Sequence, residues 1–297
     1  MNSFVEYGPV VVGPPVECKD AVLFGFFLAA DQAKLNKLCT DVFETPSSTI
    51  AGGGVIGCSP LDSFVMLTFG TMGWVGNSAV SSLGVQENQV TIQVPVQITT
   101  PGGAKTSAWF SAFEFVDNTL SLTGGREVFG IAKGYGDVNL SSLSDPQSLT
   151  LTAFGGNKTD QFMTPRIMIA VQRKAPNAAV AGWAELNLTA NFLQLFMKWA
   201  NQGGAPQILM KQFMDAGDST KACFQQIVQA DFSVNLKPPT MNPFGALLYD
   251  YDITITQLDS LPVFDQLGIK TQTAHGAFRI EADLVKIDTG KILWTAP

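Results

Sequence analysis

Gly125-Arg126-Glu127-Val128-Phe129-Gly130-Ile131-Ala132-Lys133-Gly134 is the most informative segment of this chain. It sets one lysine at the end of an apolar segment framed by glycines, in a chain where only 14% of residues are charged. A lysine amine is nucleophilic only when neutral. With an ordinary pKa near 10.4, well under ~1% is free base at neutral pH. Lowering that pKa by ~3 units requires ~4 kcal/mol of differential destabilisation of the ammonium, which burial can supply. Val128, Phe129 and Ile131 are the desolvating neighbours, and Arg126 a cationic one. The alternative is a lysine whose stem covers apolar surface while its ammonium stays in water.

Outward from this stretch, composition narrows the classes. The 297 residues, 46% of them hydrophobic, can bury a large core. Scarce charge implies either a large buried fraction or apolar surface hidden between subunits, and so favours a homo-oligomer. A net charge of −7 argues against nucleic acid as a partner. The longest compact apolar run, Ala21 to Ala30, is too short for a bilayer span of ~20 residues, so no membrane is expected. Met1-Asn2-Ser3-Phe4-Val5-Glu6 lacks a basic leader, which points to the cytosol. Cys18, Cys39, Cys58 and Cys223 show no paired spacing, so no metal is expected, and buried reduced thiols are. The sequons at Asn139, Asn157 and Asn187 then read as chance matches.

Hydrophobic periodicity predicts mostly strands. Val22 to Ala30 reads as a strand buried on both faces, followed by a helix over Gln32 to Cys39 capped by Asp31, with Leu35, Leu38 and Cys39 on one face. Val90 to Ile98 alternates as a half-buried strand, with Pro95 placing it at an edge or a bulge. Ser107 to Val116, Ser148 to Phe154, Arg166 to Gln172, Leu247 to Gln257 and His275 to Lys286 are further strands. Asn191 to Trp199 reads as a helix, and Pro206 to Met214 as a second one opened by proline. The plan is α+β, mainly β, a single domain over 1–297 with a helical insertion over 176–237.

Competing motifs fail. Gly52-Gly53-Gly54-Val55-Ile56-Gly57 matches a dinucleotide fingerprint by letter, but Cys58-Ser59-Pro60 follows where a helix should start. His275, the only histidine, has no Gly-x-Ser-x-Gly elbow to serve. The sequence therefore implies no cofactor.

Three blocks resemble the acetoacetate decarboxylase family: Val116-Asp117-Asn118 with Gly125-Arg126-Glu127 leading to Lys133; the early strand and helix ending Lys37-Leu38-Cys39; and Phe278-Arg279-Ile280-Glu281-Ala282-Asp283-Leu284. The resemblance implies a cone-like barrel of antiparallel strands with the lysine inside, in an oligomer, and Schiff-base chemistry on keto acids. Lys133 falls on the family's nucleophilic lysine and Glu87 on a pocket glutamate. Activation of that lysine by desolvation or a neighbouring cation is known for acetoacetate decarboxylase itself and comes with the resemblance. Two departures stand out. Gly134 replaces the family's second lysine, and no Asp or Glu occurs between Phe64 and Trp74, where a second pocket carboxylate should lie.

The expected function is that of a lyase that decarboxylates a carbonyl substrate through an imine at Lys133. The alternatives are a Schiff-base aldolase or dehydratase, with Glu87 or Tyr135 moving protons, or a non-catalytic barrel holding an apolar small molecule. Arg126, Phe129 and Tyr135 are the candidate substrate-binding residues. Glu87 could equally be a solvated loop carboxylate, and Arg126 and Glu127 an ion pair within the fold.

Overall fold

The computed structural model describes residues 12–48, 54–79, 83–176, 194–196, 198–199, 202–237 and 245–296. Its strands are β1 (Val16–Ala29), β2 (Gly57–Pro60), β3 (Phe64–Gly76), β4 (Gly84–Thr99), β5 (Lys105–Val116), β6 (Lys133–Tyr135) and β7 (Asp137–Leu140), followed by β8 (Ser148–Gly155), β9 (Thr164–Pro176), β10 (Pro206–Met214), β11 (Ala222–Leu236), β12 (Gly245–Ile255), β13 (Gln272–Ile287) and β14 (Lys291–Thr295). β1 lies between β3 and β13, antiparallel to both. Phe24, Phe26 and Leu28 on one face and Phe27 on the other are all buried, the two-faced burial its apolar run predicts. The helix Gln32–Cys39 starts where Asp31 accepts the backbone N–H groups of Ala33 (2.8 Å) and Lys34 (3.1 Å). Leu35 and Cys39 are its buried face.

Pairing runs β10-β5-β4-β3-β1-β13, and β11 bonds β10 with one half and β13 with the other. Seven strands thus form a closed circuit of hydrogen bonds. β12, β9, β8 and β7 extend the sheet beyond β13. The main core lies on one side, built from residues such as Phe26, Phe69, Ile92, Phe110 and Tyr251. The inward faces of the circuit enclose a cavity of about 210 Å³.

Four expectations are corrected. Pro206–Met214 is a strand, not a helix: its backbone pairs with β11 and, at Gln207 and Ile208, with β5. Proline suits the first residue of a strand as well as that of a helix, and the open edge of β5 outweighs weak helix propensity. β10 and β11 both fall inside 176–237, so that range completes the circuit rather than forming a helical insertion. Helix there is confined, among the described residues, to 194–196 and 198–199; residues 177–193 lie outside them. Pro95 lies neither at a sheet edge nor at a bulge. It occupies an interior strand where β4 passes from its partner β3, which ends at Gln93, to β2, which begins at Val96. Its missing N–H therefore deprives no neighbour of a ladder bond. Finally, β4 is buried on both faces. Val90, Ile92, Val94 and Val96 pack into the core, while Glu87, Gln89, Thr91 and Gln93 line the cavity. The polar half of the alternation faces the cavity instead of an outer surface.

Candidate functional site

Lys133 is delivered by a chain of local constraints. The helical turn Thr119–Gly124 is capped by Asn118, whose side-chain oxygen accepts from Leu120 (3.0 Å) and Ser121 (3.3 Å). A wider π-type turn, Gly125–Phe129, continues it and stops at Gly130, which has φ +78°. Only glycine fits there, since a Cβ would stand 2.2 Å from the Lys211 Cα. Ile131 N–H then donates to the Gly125 carbonyl (3.1 Å), and Lys133 enters β6, paired in parallel with Glu114 of β5. The apolar lead-in to Lys133 is thus a π-type helical turn, with Phe129 and Ile131 in the cavity wall.

The lysine's surroundings are ionic. Nζ of Lys133 lies 2.7 Å from Glu114 Oε1 and 3.8 Å from Glu87 Oε1, and donates to Ser121 Oγ at 2.9 Å. Lys133, Glu87 and Glu114 are 7%, 4% and 6% exposed. Burial pushes the ammonium's pKa down, but the carboxylates of Glu114 and Glu87 pull it up, and the net shift is above the ordinary lysine value. The sequence alone predicts the opposite direction, because the chain neighbours Val128, Phe129, Ile131 and Arg126 would all lower a lysine pKa. Burial also raises the Glu87 pKa, opposed by Lys133 and reinforced by Glu114. Its Oε2 is buried with no hydrogen-bond partner. Cys18, in the same wall, has its thiol pushed up to about 12, by burial first and Glu87 second, and stays protonated at neutral pH.

The bend of β5 aims two side chains at one space. Ile92 pairs with Phe113 but Gln93 with Ser111, so Ala112 is an extra residue in β5. That bulge lets Ser111 and Glu114, three apart, both face the cavity, where strict alternation would turn one away.

The candidate residues divide. Lys133, Glu87 and Phe129 come together in the cavity. Glu87 is a buried strand residue, so the solvated-loop alternative is corrected: the Glu87-Asn88 pair belongs to β4, and Asn88 is anchored by Asp117 (2.7 and 2.8 Å). Arg126 is exposed and outside the wall; its guanidinium donates to the Lys133 carbonyl (2.9 Å), bracing the backbone rather than facing the cavity. Tyr135 is 46% exposed and also outside it, although β6 alternation gives it the same side of the strand as Lys133: it lies two residues further along, beyond the cavity wall. Glu114 is the residue the sequence reading missed. Its signal is a lone charge inside Ala112-Phe113-Glu114-Phe115-Val116. The second carboxylate comes from β5, whereas Phe64 to Trp74 offers the cavity Met66, Thr68 and Met72. Gly134 stands against Phe115, where a Cβ would meet the ring at 3.1 Å. His275 pairs at 3.2 Å with Asp250 and is not in the cavity wall. Among the described residues no cluster could hold a metal ion, and no helix is long and apolar enough to cross a membrane.

Gly125 makes room for the lysine: a Cβ there would lie 2.5 Å from Lys133 Cε. Gly125→Ala should therefore push the amine off Glu114 and slow carbonyl trapping at that amine by about 10²-fold, the scale of a ~1 Å misplacement. Its folded circular dichroism spectrum should persist, and trapping rates would read the loss. A second expectation follows from the raised pKa of Glu87. A raised carboxyl contributes stability that is present below its unfolded pKa and lost as pH rises through its folded one. Glu87→Gln should flatten the loss of thermal stability between the ordinary carboxylate range and neutrality. An unchanged slope in melting experiments would contradict the shift.

No protein-family model and no curated protein matches the sequence. Solved structures do match. Acetoacetate decarboxylase from Legionella pneumophila superposes with a TM-score of 0.61 at 13% identity, covering 98% of this chain and 92% of that one. The enduracididine biosynthesis enzyme MppR, complexed with the condensation product of pyruvate and imidazole 4-carboxaldehyde, gives 0.55 at 10%, covering 97% and 98%. An acetoacetate decarboxylase-like enzyme from Sphingomonas wittichii RW1 gives 0.54 at 14%, covering 95% and 94%. The chain thus has the acetoacetate decarboxylase-like fold.

Proposed function

We propose that this protein is an enzyme in which Lys133 forms an imine with a small carbonyl compound, and Glu87 and Glu114 carry the protons. The observation that carries this is a single buried lysine held 2.7 and 3.8 Å from two buried carboxylates in an otherwise largely apolar cavity. The likeness to a decarboxylase and to an enzyme bound to a carbonyl condensation product supports the same chemistry.

Lys133 starts as an ammonium. Transfer of one proton to Glu114 frees the amine, whose lone pair attacks the carbonyl carbon. The carbinolamine oxygen takes a proton from the resulting carboxylic acid and leaves as water, giving an iminium. The iminium then accepts an electron pair from the adjacent carbon, either as an α-proton passes to a carboxylate or as CO₂ departs. Simple decarboxylation needs little beyond the iminium, whereas aldol and dehydration steps need a second proton-carrying group. With Glu114 present, enamine steps that need both an acid and a base are equally provided for.

Exchange of α-protons tests this without knowledge of the natural substrate. In D₂O, acetone should gain deuterium in the presence of the wild type and not with Lys133→Ala, as followed by NMR. Exchange that persists in Lys133→Ala would overturn the assignment. Release of CO₂ from acetoacetate separates decarboxylation from aldol or dehydration chemistry.

We carry the cytosolic and oligomeric expectations as part of this proposal. Free Cys18, Cys39 and Cys58, all buried, fit a reducing compartment. Exposed Phe154, Phe162, Met163 and Ile167 lie around the β8–β9 hairpin and supply an apolar surface for self-association. Ile167→Asp should lower the mass measured by light scattering if that surface joins subunits; an unchanged mass would rule the surface out.

A further inference from the structure

The cavity wall holds a sharp imbalance of charge. All eighteen Lys and Arg residues and His275 fall within the described residues, and of these only Lys133 lines the cavity. Against that one cation stand Glu87 and Glu114, within 3.8 Å of its nitrogen. The cation is thus already matched, and one carboxylate is left over. The iminium formed from Lys133 would carry the same single charge at the same place. A substrate carboxylate would enter as a third anion in a buried site, with no Lys, Arg or His side chain in the wall besides Lys133 to receive it. An unpaired buried charge is among the most unfavourable arrangements in a protein interior.

The rest of the wall is neutral and ordered. Gln93 donates to Ser111 (3.2 Å), and Ser111 donates to Gln207 (3.3 Å), all three buried. Through the bulge at Ala112, Ser111 shares the cavity face with Glu114, roughly 10 Å along β5 at about 3.3 Å per residue. Beyond it lies an aromatic end. Trp109 and Trp199 have ring centroids 5.3 Å apart, and Phe196 and Phe278 5.7 Å apart, and all four line the same space. From Lys133 outward, the wall therefore passes from ionic, to amide and hydroxyl, to aromatic. Amide and hydroxyl groups both donate and accept, which suits a neutral polar substituent.

We propose that this cavity selects an uncharged aldehyde or ketone, with an apolar or aromatic body and a neutral polar group that meets Gln93, Ser111 and Gln207, and that it rejects keto acids. This rests on the imine reading above and fixes its substrate class. The enamine then arises by transfer of an α-proton to a carboxylate, with no CO₂ lost. A new C–C bond can form from the enamine carbon to a second carbonyl carbon, whose oxygen takes back the proton.

The test uses isosteric pairs. 4-Formylbenzamide is compared with 4-formylbenzoate, and 4-oxopentanamide with 4-oxopentanoate, each with cyanoborohydride and the full-length protein. Adduct formation at Lys133 is followed by mass spectrometry and normalised to labelling of N-acetyl-lysine methyl ester. The amides should label Lys133 at least tenfold faster than the carboxylates. Equal or faster labelling by the carboxylates would overturn the substrate class while leaving the imine reading intact. No labelling of Lys133 by any of the four would overturn the imine reading, and this inference with it.

Discussion

Lys133→Met will abolish imine formation, a loss of about 10⁴-fold or more in any reaction that depends on it, and will also destabilise the fold. The two effects have one cause. Removing the ammonium deletes the nucleophile and leaves Glu87 and Glu114 buried together without their cation. Breaking a buried pair by removing one partner costs about 3–5 kcal/mol, because the remaining charge is uncompensated. The stability loss should be largest at neutral pH and shrink in acid, where the orphaned carboxyls are protonated. Adding Glu114→Gln to Lys133→Met should recover part of the stability and none of the activity, since the double replacement removes an anion with its cation. Chemical denaturation of the two variants across pH reads this directly. Equal stability of Lys133→Met and wild type would mean that the ion cluster is not buried as described.

Glu114→Gln should slow catalysis by about 10²–10⁴-fold, the usual contribution of a positioned proton carrier. It should also move the pH dependence. Glu114 is the stronger of the two carboxylates that hold the Lys133 pKa up, while burial works against both. With Glu114 neutral, burial gains on the remaining carboxylate, and the amine is freed at lower pH. The rising limb of the trapping rate, set in the wild type by a lysine above its ordinary value, should therefore shift toward neutrality. The stability that Lys133 gains from its partners is present below the ordinary lysine pKa and lost as pH rises through the elevated one. Glu114→Gln should lose stability at neutral pH and approach the wild type in strong alkali. A limb that stays in place would assign the raised pKa to Glu87 alone.

The parts of this protein that were legible in its sequence are those fixed by local pattern. Val22 to Ala30 and the Asp31-capped helix announce themselves by an apolar run and a capping carboxylate. The lysine stretch is legible because Gly125 and Gly130 are there for reasons of space, one to pass the lysine stem and one to take a positive φ. What was not legible depends on pairing at a distance. Pro206 to Met214 carries a helix-like composition, and pairing with the distant β11 along its length, with a short parallel contact to β5, makes it a strand. Glu87 reads as a loop residue beside Asn88 because nothing nearby reveals that β4 starts at Gly84 and faces a cavity. Glu114 escaped because its partner, Lys133, is nineteen positions away in sequence and meets it only through the parallel pairing of β5 with β6. The direction of the Lys133 shift failed for the same reason: apolar neighbours are visible along the chain, and opposing carboxylates are not.

The claim on which everything else depends is that Lys133 is the reactive amine. Borohydride reduction in the presence of 4-formylbenzamide, followed by intact mass and peptide mapping, addresses it without any assumption about turnover. A single adduct is expected, on the peptide that carries Lys133, and none in Lys133→Met. Adducts spread over exposed lysines such as Lys37 and Lys221, with Lys133 unmodified, would contradict it and leave the cavity as a binding site for an apolar molecule.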